Sequence, residues 1–249
     1  MQQLLFPLMI TALMLSACGG NSTDQVSKLS NNVSEKNKTG SSCLAEHAME
    51  PCNIFDLNQI AGWLEMAAAE LEQKGPPELE NAPKLLSNPM VRYCNYNWST
   101  GRKQSLTVGS RTIEVDKDNT IGIGGFKLLD KEEIDKPYGE YFDNYYRTMT
   151  DEEVAAFHKK VEEEMEEESE QVKSAAKTIT SMIPKSFFTK AEGIGDKAVL
   201  EGNDLNSEAR VHTLHGNIVF TVISDLSENF DENATMAKRL AKEAVASCN

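Results

Sequence analysis

The side chains of this sequence that could do covalent or metal chemistry are five cysteines and four histidines among 249 residues. His47 and His158 stand alone. His212 and His215 fall in a run that reads as a strand, where a spacing of three sends them to opposite faces. No His-Glu-x-x-His, Gly-x-Ser-x-Gly or Cys-His pairing is present, so neither a zinc hydrolase nor a nucleophilic hydrolase is legible. Carboxylates are plentiful everywhere, and abundance nominates no pair for acid–base work. Cys43, Cys52, Cys94 and Cys248 lack the close Cys-x-x-Cys spacing of a zinc site. No catalytic residue, metal ligand or cofactor is assigned.

Two clusters suit recognition rather than reaction. Four of the six tyrosines fall at Tyr138, Tyr141, Tyr145 and Tyr146, beside Phe142; exposed, they offer apolar area with polar tips to a carbohydrate, peptidoglycan or protein partner. The plainer reading is core packing at helical spacing. Between Asp151 and Lys173 stand ten acids and three lysines, a local charge of −7. A helix face carrying Glu163 and Glu167 could dock a basic partner, or be a solvated face that confers solubility. Ile121-Gly122-Ile123-Gly124-Gly125-Phe126 has neither a following Lys-Ser/Thr nor a βαβ frame, so a phosphate cradle is not expected.

Thirty-nine acidic residues against 25 Lys and Arg give a net charge of −14. Nucleic-acid affinity comes mostly from neutralising phosphates with Lys and Arg, so a nucleic-acid partner is not expected. With 40% apolar residues, the chain has enough to bury a core.

Leu4 to Leu15 reads LLFPLMITALML, an apolar run of about 12 residues that suits the core of a signal peptide and falls short of the roughly 20 a membrane-spanning helix needs. Leu15-Ser16-Ala17-Cys18 follows. Small residues at 16 and 17 leave room for a peptidase, and Cys18 supplies a thiol that a lipid donor can alkylate. The pattern resembles the lipobox of bacterial lipoproteins, although Met1-Gln2-Gln3 carries no Lys or Arg. The resemblance implies thioether lipidation of Cys18, cleavage before it and attachment to a membrane by several acyl chains. Gly19 in place of Asp implies the outer membrane, facing the periplasm; the inner membrane and the cell surface stay open. Gly193-Ile194-Gly195-Asp196-Lys197-Ala198 also looks like segments of uncharacterised bacterial envelope lipoproteins. Its physical reading is a turn with positive φ, capped by Asp196.

Residues 19–42 are Ser, Asn, Thr, Gly and Lys with three isolated aliphatics, which reads as a flexible tether of roughly 25–30 Å r.m.s. reach. Residues 43–249 then form one domain. Apart from Cys18, the four cysteines of an exported chain are expected to make two disulfides. Of the three pairings, Cys52 with Cys94 and Cys43 with Cys248 is favoured and Cys43 with Cys52 is the main rival. The loop model gives the 52–94 link about 4 kcal/mol.

Asp56 can cap a helix running through Leu57, Ile60, Trp63, Leu64, Ala67, Ala68 and Leu71 and ending at Lys74-Gly75-Pro76-Pro77. After a Pro- and Asn-rich loop, Val91 to Trp98, Ser105 to Val108, Thr112 to Val115 and Ile121 to Phe126 read as strands. Pro137 can open a short helix carrying the tyrosines. Thr150 with Glu153 forms a capping box and Met149 with Val154 a staple, for a long acidic helix ending at Pro184. Strands follow at Lys197 to Glu201, Ala209 to His215 and Ile218 to Ser224, then a helix from about Glu232 to Cys248. Runs of strands without βα alternation predict an α+β fold: an antiparallel sheet packed by several helices in a two-layer sandwich, with one long acidic helix. The expected function is a lipid-anchored, non-enzymatic binding or protein-interaction module. The alternative is a periplasmic carrier or enzyme with an internal pocket for a small or lipidic ligand.

Overall fold

The structure, a computed structural model, describes residues 40–75, 88–108, 111–164 and 186–248. Cys18, the expected tether as far as residue 39, most of the Pro- and Asn-rich loop, Glu167 and the end of the expected long helix lie outside them.

Among the described residues the strands are β1 (Glu72–Lys74), β2 (Tyr93–Trp98), β3 (Lys103–Val108), β4 (Arg111–Asp116), β5 (Asn119–Leu128), β6 (Ser186–Lys190), β7 (Lys197–Asn203), β8 (Ala209–His215) and β9 (Ile218–Asp225). Seven form one sheet in the order β1-β2-β5-β9-β8-β7-β6, with every neighbour antiparallel. β3 and β4 make a separate two-stranded ribbon. The helices are α1 (Gly40–His47), α2 (Leu57–Leu64), α3 (Tyr138–Tyr145), α4 (Asp151–Glu164) and α5 (Phe230–Ala246). This is the antiparallel α+β class expected.

Alternation sorts the sheet into two faces. Cys94 and Tyr96 on β2, Ile121 and Ile123 on β5, Phe220 and Val222 on β9, and Ala209 and Val211 on β8 are buried together in the main core. α5 covers this face with Ala234, Ala237, Leu240, Ala241 and Ala244; four alanines let helix and sheet approach closely. Phe126 stacks on Phe220 within it, ring centroids 5.8 Å apart. Asn229 caps α5 by accepting from the Asp231 N–H at 2.9 Å, and Asp231 and Glu232 favour the positive end of the helix dipole. Asn233 is fully buried yet fully bonded: its amide donates to the Ser207 and Ser227 carbonyls, and its oxygen accepts from the Leu226 and Ser227 N–H groups. That set consumes its hydrogen-bonding capacity and pins two loops to the start of α5.

α1 begins at Gly40, inside the stretch read as tether, because Leu44 and Ala48 come four apart and both bury completely. α2 is capped as expected, the Gln59 N–H donating to Asp56 at 2.8 Å. It ends at Glu65, in the left-handed region at φ 55°, rather than running to Leu71. The chain is needed elsewhere, since Glu72–Lys74 pairs with Asn95–Asn97 as the sheet edge and Leu71, just before that strand, enters the core. β1 and β6 went unpredicted.

Both disulfides of the favoured pairing form. Cys43 joins Cys248, with Cα atoms 5.4 Å apart, and Cys52 joins Cys94 at 5.0 Å. They staple α1 to the end of α5, and the Pro51–Asn53 turn to β2. The β3–β4 ribbon is held at its base, where Asp225 at the end of β9 takes Arg102 at 2.7 Å and Lys117 at 2.9 Å. An isolated two-stranded ribbon is marginal in water, so this charged clasp does what a third strand would.

β5 carries glycine where β2 comes closest: a Cβ on Gly124 would sit 2.2 Å from the Arg92 carbonyl oxygen and 2.6 Å from the Tyr93 Cα. Gly124→Ala is therefore expected to cost roughly 1–3 kcal/mol in urea unfolding, through backbone displacement. Gly62 in α2 has nothing within 4 Å of such a Cβ, so Gly62→Ala is expected to raise stability by up to about 1 kcal/mol. Equal effects from both substitutions would contradict this account of the β2–β5 contact.

Candidate functional site

The second face of the sheet carries the polar residues. In the antiparallel register Tyr93 lies opposite Gly124, Gly124 opposite Thr221, and Thr221 opposite His212, so these residues line up across four strands on one side. Tyr93 lies flat over the glycines. A Cβ on Gly125, whose φ is +62°, would meet the Tyr93 hydroxyl at 2.5 Å and Thr221 Oγ1 at 3.5 Å, and Tyr93 shares a hydrogen bond with Thr221. His212 Nδ1 is 2.9 Å from Thr221 Oγ1, and Nε2 is 2.7 Å from Glu201 Oε2 on β7. Ser186 on β6 donates to the other Glu201 oxygen at 2.7 Å. One chain of hydrogen bonds thus crosses from β2 to β6.

Its polarity follows from the carboxylate. Burial pushes the Glu201 carboxyl up, but the hydrogen bonds from His212 and Ser186, with the positive charge nearby on Arg210, outweigh burial and hold it below its ordinary value. An ionised carboxylate only accepts, so His212 Nε2 carries the proton. The other ring nitrogen, Nδ1, lies against the Thr221 hydroxyl. Burial pushes the Tyr93 hydroxyl up, keeping it a donor.

Hydroxyl, imidazole and carboxylate in that order are the groups of a nucleophilic triad. Here they are covered. Thr221 is 5% exposed and His212 7%; the Tyr146 ring stacks on the imidazole at 4.3 Å and 23°. The polar row lies beneath an aromatic roof.

That roof is α3 and the residue after it. Phe142 buries completely in a small second core with Leu129, Leu214 and Val219. Lys127 donates to the Tyr141 hydroxyl and sits 4.9 Å and 5.4 Å from the Tyr141 and Tyr145 ring centroids. Lys197 holds α3 from the other side, through the Gly139 carbonyl and Asp143. Burial pushes the Tyr146 hydroxyl well up. Past α3, Thr148 Oγ1 accepts from the outward N–H of Phe188 at 3.0 Å and blocks part of the β6 edge.

The expected site residues separate. Tyr138 packs against the second core, Tyr141 is engaged by Lys127, and Tyr145 is 57% exposed, stacked on Tyr141 at 5.9 Å and 18°. Glu163 is an exposed residue of α4, 3.5 Å from Lys159, and no described contact brings it to the tyrosines. The capping box of α4 forms in both directions, and Arg147 with the Thr150 N–H holds the Glu153 carboxyl down at about 2. Gly193 and Gly195 take the expected positive φ, and Asp196 accepts from the Gly216 N–H at 2.6 Å. His212 and His215 point to opposite faces, as their spacing implies. Missed were Tyr93, Glu201, Thr221 and Ser186, whose polarity left no mark in the strand pattern. Among the described residues no group of three or more His, Cys, Asp or Glu could hold a metal ion, and no helix is long and apolar enough to cross a membrane. No known family, curated protein or solved structure matches the chain.

Glu201 supplies a pH test. Its carboxyl titrates below its ordinary 4.5 in the folded protein, so its bonds contribute fully above that value and are lost as pH falls through the lower folded value. Glu201→Gln is expected to cost about 1–3 kcal/mol at pH 7, and the gap from wild type should narrow progressively below pH 4.5 in urea unfolding. A gap that stays constant down to pH 3 would rule out an ionised Glu201 at the centre of the chain.

Proposed function

We propose that the chain is a lipid-anchored bacterial envelope lipoprotein, attached through Cys18 to the outer membrane on its periplasmic face, whose domain is a non-enzymatic binding or protein-interaction module. The anchor rests on Leu15-Ser16-Ala17-Cys18 behind an apolar run, and on Gly19. Two disulfides in a stapled domain fit an oxidising compartment.

The observation that carries the binding reading is the aromatic corner at the end of α3. Tyr145 is exposed, as is Met149 four residues on, yet its ring is held against Tyr141 and Tyr146, with Lys127 over it. An exposed aromatic that is already ordered loses little entropy when a partner lands on it. The corner also lies on the opposite side of the sheet from α1. α1, where the N-terminal stretch enters, packs in the main core, whereas α3 sits over the opposite face of the sheet. The partner class is an envelope protein, one with a basic segment being favoured by the net charge of −14.

Cys18→Ser is expected to accumulate as an uncleaved, unlipidated precursor, visible by mass and by loss from the membrane fraction; normal maturation of that variant would end the lipoprotein reading. Tyr145→Ala, with Tyr141→Ala added, is expected to lower capture of envelope proteins in cell crosslinking at least tenfold, with an unfolding midpoint close to wild type for the single variant. Capture that falls only in step with stability would return the corner to a packing role. A discrete extra mass on the purified domain in native mass spectrometry would replace this reading with a carrier.

A further inference from the structure

The residues that connect the N-terminal stretch to the domain are held by an arrangement with two unequal covalent stops. α1 has eight residues, too few to persist alone in water. Leu44 and Ala48 seat it in the main core, and Cys43 ties it to Cys248 at the end of α5. Beyond Ala48 the chain is fixed again, where Arg92 Nε donates to the Met49 carbonyl and Cys52 is bonded to Cys94. Cys43 and Cys248 are both half-buried. Cys94 is completely buried in β2, between β1 and β5, with the Gln73 amide 3.6 Å from its sulfur.

We infer that the Cys43–Cys248 bridge is a thiol-releasable latch on α1, and that Cys52–Cys94 is the stop that limits what its opening releases. Thiol–disulfide exchange needs a thiolate to reach a sulfur. The outer bridge offers that approach from either cysteine, whereas one side of the inner bridge is closed by the sheet. A dithiol reductant supplies the two electrons. Its first thiolate attacks one sulfur of the bridge and expels the other as a thiolate, which takes a proton. The second thiolate then attacks the mixed disulfide, leaving Cys43 and Cys248 as thiols and the reductant as a disulfide. Without the crosslink α1 is held by the packing of Leu44, Ala45 and Ala48 against the main core, and release of residues 43–48 frees about 20 Å of extended chain. The consequence, a longer reach from the membrane, rests on the lipoprotein reading; the latch does not.

The test titrates the exported protein with dithiothreitol, maps thiols by differential alkylation and follows hydrogen exchange. Cys43 and Cys248 are expected to become alkylated at roughly tenfold lower reductant than Cys52 and Cys94, while exchange in residues 43–48 rises and protection in β8 and β9 is kept. Cys43→Ser with Cys248→Ser should show the same exchange without reductant. Simultaneous opening of both bridges would overturn the inference, as would an α1 that stays protected in the double variant. Normal processing of Cys18→Ser would remove the membrane anchor and leave the latch result standing, so the two failures are distinguishable.

Discussion

Two missing side chains on β5 set the architecture of the open sheet face. Tyr93 and Thr221 sit on strands that each pair with β5 but not with one another, roughly 10 Å apart at the usual strand spacing. A side chain at Gly124 or Gly125 would stand between them. With both positions bare, the Tyr93 ring lies across the gap and its hydroxyl reaches Thr221. From Thr221 the chain runs on through His212 to Glu201 and Ser186. Glycine within a strand weakens it, and the register shift between Gly124 and Lys127 marks where β5 yields. The weakening is offset by a polar row with its hydrogen bonds made beneath an aromatic cover.

Covalent and non-covalent fastening are divided between the faces. On the helical face α5 is long and packs through alanines. The two crosslinks tie the short α1 to its C-terminal end and the Pro51–Asn53 turn to β2. On the other face α3 is equally short and has no crosslink. It is fastened by Phe142 in a core of four buried residues and by Lys127 and Lys197. A small separate core with half-exposed clasps is the description of a unit that opens locally before the domain unfolds. The exposed Tyr145 therefore stands at the end of a helix fastened by this small core and its two lysines.

Legibility in the sequence tracked the range of the interactions. Asp56, Thr150 with Glu153, and Gly193 with Gly195 act within a few residues of themselves, and each does what its local pattern implies. Alternation in Tyr93–Trp98 and Ala209–His215 placed the strands and the faces of His212 and His215. Where alternation failed was in saying which polar residues meet. Tyr93 and Thr221 are over a hundred residues apart in sequence, and the glycines that let them touch read only as an unlikely phosphate loop. α2 was overextended because Ala67, Ala68 and Leu71 fit a helix as well as they fit a turn followed by an edge strand. The disulfide pairing was readable because four cysteines allow few solutions.

The charge distribution gives the acidity a physical role. Arg102 and Lys117 are spent on Asp225 at the base of the ribbon, Lys127 and Lys197 on α3, and Arg147 on Glu153. The cations of the domain thus act as internal fasteners. Much of the acid surplus lies along the Asp151–Lys173 stretch, which holds half of the net charge. Within α4 Lys159 pairs with Glu163 four residues on, and a surplus of −7 remains over the stretch as a whole. It does act on anything nearby: an anionic membrane repels it and a cationic partner is drawn to it, both within a Debye length of about 8 Å at physiological salt. If the chain is lipid-anchored as proposed, that repulsion would act to hold the acidic stretch off the bilayer.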